Sequence, residues 1–506
     1  MKIVFPDEMK SIDKETIEMG IPSLVLMESA SIEVMNVIKE RFGRRILILC
    51  GPGNNGGDGY ALARRLMVSG YDVVTYSWKN PKTEDCIHNH DLFAEIGGTI
   101  KKFDNYNDLI ADIKNSEVVV DGIFGTGFKG TLPNEIIDVF NVINRHRCRR
   151  VAIDISSGIN GKTGEVNQVA FLADVSVTFG LPKFGHYLQP GKYYTGELIV
   201  KNIGFPEKII NKFAKCECID SKLANELLPD RFPWGHKGSY GKVMILGGNE
   251  VYTGAPLMAA QGALISGCGK VITYTPENAR EAIRNNLPQV IAYGSEKKNL
   301  SDNDLPVIKE LLKDVDVLVI GPGIGRENET KKFVLGLLKI ISKLDVSKVL
   351  IDADGLFAIK DDMKLLKNIE DTVITPHPGE FSVLTGKGIS ELINNVGIIR
   401  EYASKWETAL LLKGSTSIIS DKAKRIRLNI TGNTGLAKGG SGDLLSGTIG
   451  AFMAQNINGY DAASLGSYTM GKAAEMVNVN QRSCTIHDVS GAYSKVFDLL
   501  KKINDC

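Results

Sequence analysis

The most specific chemical motif in this 506-residue sequence is GGSGD at residues 439–443, directly before an apolar run. Free backbone N–H groups at the start of a helix, together with the helix dipole, attract an anion. Gly440, Ser441 and Gly442 therefore form a candidate anion hole for a transferring phosphoryl group. Asp443, in the first turn, is placed to take a proton from an attacking hydroxyl. The alternative is an acidic helix start after a flexible loop.

Four further motifs follow predicted strands in the second half of the chain, so they should line one edge of a sheet. They are GPGIG at 321–325, DADGL at 352–356, TPHPGE at 375–380 and KGSTS at 413–417.

Three side chains in these motifs have testable roles. Glu380 is a candidate magnesium ligand, directly or through water, because magnesium keeps waters and uses few carboxylates. Lys413 is a candidate counter-charge for nucleotide phosphates. His377 either contacts a ligand or satisfies the local backbone.

The first half of the chain carries a different glycine loop, GPGNNGGDG at residues 51–59. It lies between a predicted buried strand at 44–50 and a predicted helix, where backbone N–H groups can hold a phosphate. It matches neither the dinucleotide fingerprint nor the P-loop. A tight turn with an Asn or Asp cap is the alternative, but Asn54, Asn55 and Asp58 exceed what a turn needs.

Polar residues also follow other predicted strands of the first half: Asp121, Asp154 and, just beyond, Ser157. Neighbouring strand ends of an open α/β sheet converge on one crevice. Asn55, Asp121 and Ser157 could together offer oxygen ligands to a hard cation. Asp154 is close enough in sequence to act on a substrate held there. Each aspartate alone would more often be a helix cap.

The elements that must position these residues form two alternating series of strands and helices. Such alternation predicts α/β folds built on doubly wound, mostly parallel sheets. The alternation stops around residues 205–240, where prolines interrupt the pattern, so we predict domains at 1–216 and 220–506. The second series is expected to end with two helices, the first opening at GGSGD.

The overall composition excludes several classes of protein. The sequence has 60 basic and 59 acidic residues, for a net charge of +1, and this balance argues against a nucleic-acid binder. The sequence has no apolar run of about 18 residues, so we expect no membrane partner. The acidic N-terminal stretch does not read as a signal peptide. The eight cysteines fit no metal or disulfide framework and are expected to be reduced thiols in a cytoplasmic protein.

The first half resembles the NAD(P)H-hydrate epimerases through NNGGDG, DGIFGTG and DISSG followed by LPKFGH. The resemblance implies a Rossmann-like fold and a potassium ion bound by Asn55, Asp121 and Ser157. It implies interconversion of the R and S hydrates at C6 of the nicotinamide ring, with Asp154 as the catalytic residue. Lys183 is a weaker catalytic candidate, with a phosphate contact or a surface loop as the alternatives. The implied hydrate contacts are Asn54, Asn55, Gly56, Gly57, Asp58, Gly125, Thr126, Gly127, Phe128, Lys129, Gly130, Thr131 and Asp154.

The second half resembles the ribokinase-like superfamily and, more narrowly, the ADP/ATP-dependent NAD(P)H-hydrate dehydratases. The resemblance rests on GSYGKVMILGG, YTGAP, GPGIG, DADGL, HPGE and GGSGD in this order. It implies hydrate contacts at Ala255, Gly323, His377 and Asp443. The implied nucleotide contacts are Lys413, Gly414, Ser415, Thr416, Ser417, Gly440, Ser441 and Gly442.

Together the resemblances imply a bifunctional enzyme that repairs NADHX and NADPHX, with residues 1–216 as the epimerase and 220–506 as the dehydratase. Its expected cofactors are potassium in the first domain and magnesium with ADP or ATP in the second. Ion-balanced enzymes of this size often assemble, so we expect a homo-oligomer. One alternative is a ribokinase-like vitamin or sugar kinase with an accessory nucleotide-binding domain. The other is a non-catalytic nucleotide sensor, which Asp154 and Asp443 disfavour because pure binding needs neither.

Overall fold

The computed structural model describes residues 1–341, 343–344 and 347–501. The chain divides into two compact units, the first spanning Lys2–Cys216 and the second comprising Met1 and the residues from Glu217 onward. Within the described residues, no helix is both long and apolar enough to cross a membrane. The seven described cysteines are all free thiols. The eighth, Cys506, lies outside the described residues.

The first unit alternates strands and helices along the chain. Its strands are β1 (Lys2–Ile3), β2 (Arg45–Cys50), β3 (Asp72–Ser77), β4 (Thr99–Lys102), β5 (Val118–Gly122), β6 (Arg149–Ile153), β7 (Val175–Phe179) and β8 (Glu197–Lys201). Its α-helices are α1 (Pro6–Glu18), α2 (Ser23–Arg41), α3 (Asn54–Val68), α4 (Glu84–Glu95), α5 (Tyr106–Asn115), α6 (Asn134–Ile143), α7 (Gly191–Thr195) and α8 (Glu207–Phe213). A 3₁₀ helix spans Phe184–His186.

The sheet of the first unit runs in the order β4-β3-β2-β5-β6-β7-β8, with every pairing parallel. Strands β2 and β5 are buried almost throughout because helices cover both faces, which explains their continuous apolar sequence. The chain moves outward from β2 to β4 and then returns to β5 on the other side. This reversal opens a crevice at the carboxyl ends of β2 and β5. The predicted doubly wound fold is confirmed.

The second unit repeats the alternation on a larger scale. Its strands are β9 (Cys216–Cys218), β10 (Lys242–Leu246), β11 (Lys270–Pro276), β12 (Ile291–Ser295), β13 (Val317–Ile320), β14 (Lys348–Ile351), β15 (Asp371–Ile374), β16 (Ala409–Leu412), β17 (Ser417–Ser420) and β18 (Ile426–Asn429). Its α-helices are α9 (Ser221–Leu227), α10 (Gly254–Ile265), α11 (Glu277–Asn286), α12 (Leu305–Leu312), α13 (Asn328–Ile341), α14 (Asp354–Ile359), α15 (Pro378–Thr385), α16 (Ile389–Leu392), α17 (Val396–Trp406), α18 (Ser441–Ala454), α19 (Gly459–Met476), α20 (Ile486–Gly491) and α21 (Tyr493–Lys501). Short 3₁₀ helices span Lys237–Tyr240, Asp302–Asp304, Met363–Asn368 and Thr434–Leu436.

The strands from β12 through β11, β10, β13, β14 and β15 to β16 form a parallel sheet. Strands β17 and β18 then continue it in antiparallel pairing, and β9 lies parallel to β18. The KGSTS motif therefore lies at a hairpin, where β16 ends at Leu412 and β17 begins at Ser417.

Helices α18 and α19 form the centre of the second unit's core, and nearly every residue of α18 after Asp443 is buried. The predicted helix start at GGSGD is confirmed. The expectation of two final helices is wrong, since α20 and α21 follow α19. Thr485 begins α20 by accepting a hydrogen bond from the Asp488 amide, so a polar loop and a new cap separate these helices from α19.

Candidate active sites

The first site lies in the crevice between the carboxyl ends of β2 and β5. Ser157 donates from its backbone N–H and from its hydroxyl to the Asp121 carboxylate, both over 2.7 Å. The Asn55 amide donates to the carbonyl oxygen of Phe124 over 3.0 Å, and the Phe124 N–H donates to the Ser157 hydroxyl over 2.8 Å. Asn55, Asp121 and Ser157 therefore converge around Phe124.

Asp121 is fully buried and has no ion pair among the described residues. Burial raises the pKa of Asp121 to about 6, although the hydrogen bonds from Ser157 lower it in part. A bound cation would favour the ionised carboxylate and offset the cost of burial. The amide, hydroxyl, carboxylate and carbonyl oxygens gathered here are hard donors of the kind that suit a hard cation.

The glycine loop before α3 brings the ends of β2 and β5 into close contact. A Cβ atom on Gly51 would lie 1.9 Å from the carbonyl oxygen of Ile123, so only glycine fits there. The N-cap of α3 is Gly53, and no side chain caps this helix. The Asn55 side chain instead reaches across to Phe124. The turn-with-cap alternative therefore does not account for Asn55.

The predicted substrate loop, residues 125–131, borders the same crevice. A Cβ atom on Gly125 would lie 3.5 Å from Cβ of Asn55, which places the loop beside the candidate cation ligands. The rings of Phe124 and Phe128 lie 5.0 Å apart. Gly127, Lys129, Gly130 and Thr131 are exposed. A ligand can therefore reach this loop from solvent.

Asp154 follows β6 with a φ of +60°, in the left-handed region. Its carboxylate accepts hydrogen bonds from the Lys183 ammonium (2.5 Å) and the Thr178 hydroxyl (2.8 Å). Burial raises the pKa of Asp154, but the Lys183 charge and hydrogen bond outweigh it, so the pKa lies below its ordinary value. Lys183 is 1% exposed, so the surface-loop alternative for this residue is wrong.

The His186 ring forms hydrogen bonds with the backbone of both residues of this pair. Its Nδ1 accepts from the Lys183 N–H (3.0 Å), and its Nε2 therefore carries the proton donated to the Asp154 carbonyl oxygen (2.9 Å). Burial, followed by the Lys183 charge, lowers the pKa of His186 to about 4. The ring is thus neutral and holds the backbone of Asp154. In the sequence, the LPKFGH motif was the only signal that could have indicated this role of His186.

Sequence reasoning missed Asp13 on α1. It lies on the buried face of that helix with Met9, Ile12 and Thr16. Burial raises the pKa of Asp13 to about 6, with Lys183 lowering it and Asp154 raising it. The sequence did contain a signal for Asp13, because an acidic residue within the apolar face of a helix is unusual.

Asp58 of the NNGGDG loop belongs to the same group of charges. Burial, followed by the charges of Asp154 and Asp13, raises the pKa of Asp58. Three carboxyl groups from separate elements therefore interact at this site, and Lys183 acts on two of them, Asp13 and Asp154.

The second site lies at the start of α18. Gly440 is its N-cap residue, and the Ser441 hydroxyl donates to the carbonyl oxygens of Leu436 and Lys438 over 2.8 and 2.6 Å. Ser441 thus holds the glycine loop against the preceding turn. Asp443 follows in the first turn and remains partly exposed.

An ion pair that the sequence did not predict lies beside this helix start. Lys413 donates to Asp352 over 2.8 Å, and the Ser446 hydroxyl donates to the same carboxylate over 2.6 Å. A Cβ atom on Gly442 would lie 3.5 Å from the Lys413 nitrogen. Lys413, predicted as a counter-charge for phosphates, is therefore held at the glycine loop by Asp352.

The charges around Asp443 alter its proton affinity. Burial, and then the Asp352 carboxylate, raise the pKa of Asp443 to about 7, with smaller contributions from Asp354 and Glu380 and with Lys413 opposing. Burial also raises the pKa of Asp352, but Lys413 and Ser446 more than offset it, and that pKa lies below its ordinary value. The two carboxyl groups therefore differ: Asp352 stays ionised while Asp443 can exchange a proton near neutral pH.

Glu380 and His377 form a reciprocal cap on α15. The His377 ring accepts from the Gly379 and Glu380 N–H groups, and Glu380 accepts from the His377 N–H over 2.8 Å. The histidine side chain is nevertheless 56% exposed. Glu380 lies 3.8 Å from the Lys413 nitrogen. Both residues thus have a structural role and also face the site.

Gly323 and Ala255, the predicted hydrate contacts, meet at the rim of this site. Gly323 has a φ of +62°, and a Cβ atom there would lie 2.9 Å from Cβ of Ala255 and 2.8 Å from Cβ of Tyr252. The loop at 413–417 lies at the carboxyl end of β16, on the same edge of the sheet. The predicted residues of the second half therefore share one edge.

Among the described residues, no group of three or more histidine, cysteine or acidic side chains is arranged to hold a metal ion. Each of the two α/β units has a mostly parallel sheet with a polar site at the carboxyl ends of its strands. These features define this chain as a two-site α/β enzyme.

Comparison with known proteins agrees with this division. Residues 23–185 match the family model of the YjeF-related protein N-terminus, and residues 243–493 match that of the NAD(P)H-hydrate dehydratases. The bifunctional NAD(P)H-hydrate repair enzyme Nnr of Moorella thermoacetica is 36% identical over 497 residues, covering 94% of this chain and 92% of the relative. The Nnr enzyme of Dictyoglomus turgidum is 34% identical, covering 93% of each chain.

A solved structure of the ADP/ATP-dependent NAD(P)H-hydrate dehydratase from Bacillus subtilis, co-crystallised with ATP and Mg²⁺, is also similar. It is 26% identical, with a TM-score of 0.48, and the match covers 56% of this chain and 99% of that chain. From the relatives aligned over nearly their whole length, the chain belongs to the family of bifunctional NAD(P)H-hydrate repair enzymes.

Proposed function

We propose that this chain returns hydrated NADH and NADPH to the active cofactors by two reactions. Residues 1–216 would interconvert the R and S hydrates, and residues 220–506 would dehydrate the S hydrate with ADP or ATP as phosphoryl donor. The observation that carries the proposal is the presence, in one chain of this family, of Asp154 at one strand-end site and Asp443 at another. Each acid lies beside a glycine-rich loop that can bind a nucleotide.

The epimerase site fits a potassium ion. Asn55, Asp121 and Ser157 would hold it, because the three side chains converge around Phe124 and the buried Asp121 carboxylate lacks a counter-charge among the described residues. The ion would supply positive charge that helps to place the nucleotide. Residues 54–58 and 125–131 would contact the hydrate around it, since both loops border the crevice.

Asp154 would move the proton that epimerisation requires. The C6 carbon bears a hydroxyl group and the ring nitrogen, so the C–O or C–N bond must open and close on the opposite face. Lys183 keeps Asp154 ionised, which leaves its carboxylate free to accept a proton. His186 fixes the backbone at Asp154, so the carboxylate keeps its direction.

Asp443 would act as the base of the dehydratase. It takes the proton of the C6 hydroxyl while that oxygen attacks the terminal phosphoryl group of the nucleotide. The ring nitrogen then expels phosphate from C6 to leave an iminium ion, and loss of the C5 proton to phosphate or water forms the C5–C6 double bond and restores the dihydropyridine. The N–H groups at residues 440–442, with Lys413 beside them, would stabilise the charge on the transferring group.

A magnesium ion bound with the nucleotide fits the negative charge around this site. The carboxylates of Asp352, Asp354 and Glu380 all act on Asp443, opposed by Lys413. Glu380 would hold the ion directly or through water, since only one of its oxygens accepts the His377 N–H. The ion would supply neutralising charge for the phosphates. Ala255, Gly323 and His377 would contact the hydrate, and residues 413–417 the nucleotide.

The test is to incubate the protein with hydrated NADH, magnesium and either ADP or ATP. We expect the absorbance of the reduced nicotinamide to return, with one phosphate released for each NADH formed. A kinase with an accessory domain would instead yield a stable phosphorylated product and no such absorbance. No absorbance with either nucleotide would exclude the dehydratase reaction.

Assembly and compartment stay predictions. The expected homo-oligomer is checked by light scattering on the purified chain. The expected cytoplasmic location is checked by cell fractionation.

A further inference from the structure

The first unit has a cleft of about 400 Å³ at the carboxyl ends of β3 and β4. Trp78, Lys79 and Asn80, which directly follow β3, line it together with Lys102, the last residue of β4. Two acids, Asp104 and Glu135, also line it. The two reactions proposed above leave this cleft without a role.

Trp78 is held in place at one side of the cleft. Its indole N–H donates to Glu135 over 3.1 Å, and the Lys79 nitrogen lies 4.1 Å from the centre of its ring. The hydrogen bond from Trp78 is the main cause of the lowered pKa of Glu135. The Trp78 ring also meets the Phe124 ring edge-on, with centroids 5.1 Å apart. Since the Phe124 carbonyl accepts from Asn55, the cleft adjoins the candidate cation site.

The site elements follow one another along the sheet edge. Asp154 follows β6, Asp121 lies in β5, the glycine loop follows β2, and Trp78 follows β3. From β6 to β3 is three strand steps, or about 14 Å at roughly 4.8 Å per step. Dinucleotides lie across such a crevice with the pyrophosphate at the glycine loop and a nucleoside on either side. If the nicotinamide lies at Asp154, the adenosine must lie towards β3.

The residue type at the end of β3 indicates which ribose is accepted. In the dinucleotide-binding fold, an acid about 20 residues after the glycine loop binds the adenosine 2′-hydroxyl, whereas a cation there accommodates a 2′-phosphate. This chain has Trp78, Lys79 and Asn80 at that point, with Lys102 on the next strand. The indole offers a surface on which a base can stack, and the lysines can neutralise a phosphate.

We propose that this cleft binds the adenosine end of the hydrated dinucleotide, with the base against Trp78 and a 2′-phosphate, where present, between Lys79 and Lys102. The proposal rests on the proposed function, because it assumes a dinucleotide substrate. It gives the first unit a subsite that accepts both the phosphorylated and the unphosphorylated cofactor.

Binding can be tested without any turnover. Adenosine 2′,5′-bisphosphate should quench part of the tryptophan fluorescence of the full chain, and Trp78→Phe should remove that part while Trp234 and Trp406 remain. Lys79→Glu and Lys102→Glu should each weaken binding of the bisphosphate at least about tenfold and that of adenosine 5′-phosphate much less. Lys114→Glu, an equal charge change on an exposed residue of α5, is the matched control and should change neither.

Epimerisation gives a second measurement. Lys79→Glu should raise the KM for NADPHX more than that for NADHX and leave kcat unchanged. Unaltered quenching in Trp78→Phe, or equal effects of the Lys79 and Lys114 variants, would overturn the subsite. If the chain binds the bisphosphate as described but epimerises neither hydrate, the subsite stands and the proposed reaction fails.

Discussion

Lys183 donates a 2.5 Å hydrogen bond to Asp154, and both belong to a site where Asp13 and Asp58 are also close enough to interact. The Lys183 ammonium therefore acts on Asp154 and Asp13, and Asp58 interacts with those two carboxyl groups. Because Lys183 is directed at Asp154 by its hydrogen bond, Asp154 remains ionised while the other two retain protons more readily. Different proton affinities within one cluster are what acid–base catalysis requires.

The Asp154→Asn variant separates the two reactions of the chain. Epimerisation should fall by at least about 100-fold, because the amide cannot accept a proton. Dehydration of the S hydrate should be unchanged, so about half of a racemic hydrate should stay unrepaired when spontaneous epimerisation is subtracted. The measurement is the final yield of NADH from racemic NADHX. Complete repair at the wild-type rate would contradict the role of Asp154.

Replacing Lys183 by methionine should destabilise the first unit. Breaking a buried ion pair leaves an uncompensated charge and typically costs about 3–5 kcal/mol. The expected readout is a lower midpoint for the first unit in thermal unfolding, with loss of epimerisation. Lys162→Met, at an exposed lysine of the same unit, serves as the control. A cost below about 1 kcal/mol, typical of an exposed pair, would contradict the buried pairing.

Asp443→Asn should lower kcat of dehydration by about 10²–10⁴-fold and leave epimerisation intact. In the wild type, Asp443 must be deprotonated to accept the hydroxyl proton. Since its pKa is raised to about 7, the rate should fall as the pH drops below about 7. The pH profile of single-turnover phosphate release checks this. A profile that is flat between pH 6 and 8 would argue against Asp443 as the base.

Potassium and protons should compete at Asp121. The pKa of this buried carboxyl is about 6 without a cation, so below that pH protonation opposes binding. Apparent potassium affinity should then weaken by about tenfold per pH unit. The measurement is the rise in melting temperature with potassium chloride, compared with lithium chloride at equal ionic strength. Asp121→Asn should abolish the potassium-specific rise at every pH.

Gly323→Ala tests the rim of the second site. The positive φ and the contacts of the added Cβ with Tyr252 and Ala255 require the loop to shift. We expect the KM for the hydrate to rise several-fold, with a stability cost of about 1–3 kcal/mol. Gly254→Ala adds the same atom where nothing lies within 4 Å, and it should leave both quantities nearly unchanged.

Much of this arrangement was predictable because parallel strands bring distant residues to one edge. Asp121 and Ser157 are separated by 36 residues, but Asp121 lies near the end of one buried strand, Ser157 follows another, and the two strands are neighbours. The same reasoning placed the motifs of the second unit at one edge of its sheet. A hydrophobic run marks each strand and a glycine loop marks its end, so the two patterns together were sufficient to predict which residues share that edge.

The pairing of charges was not predictable in the same way. Lys413 could be assigned only to phosphates, because nothing local shows that Asp352, 61 residues earlier, lies 2.8 Å from it. Asp13 was missed because α1 precedes every glycine motif and reaches the site only through tertiary packing. Val4 and Phe5, which directly precede α1, contact the Lys183 segment. Val4 forms a bridge with Lys183, and the Phe5 ring stacks on Phe184 with ring centroids 4.2 Å apart.

In both units a non-glycine residue beside the site has a left-handed backbone: Asp154 itself, with φ +60°, and Ala353, with φ +49°, next to Asp352. Such conformations cost about 1–3 kcal/mol each and persist only because the surrounding sheet enforces them. The chain thus gives up part of its thermal tolerance to hold its carboxylates in place. Replacing Ala353 by glycine, which adopts a positive φ without this steric cost, should therefore raise the melting temperature of the second unit.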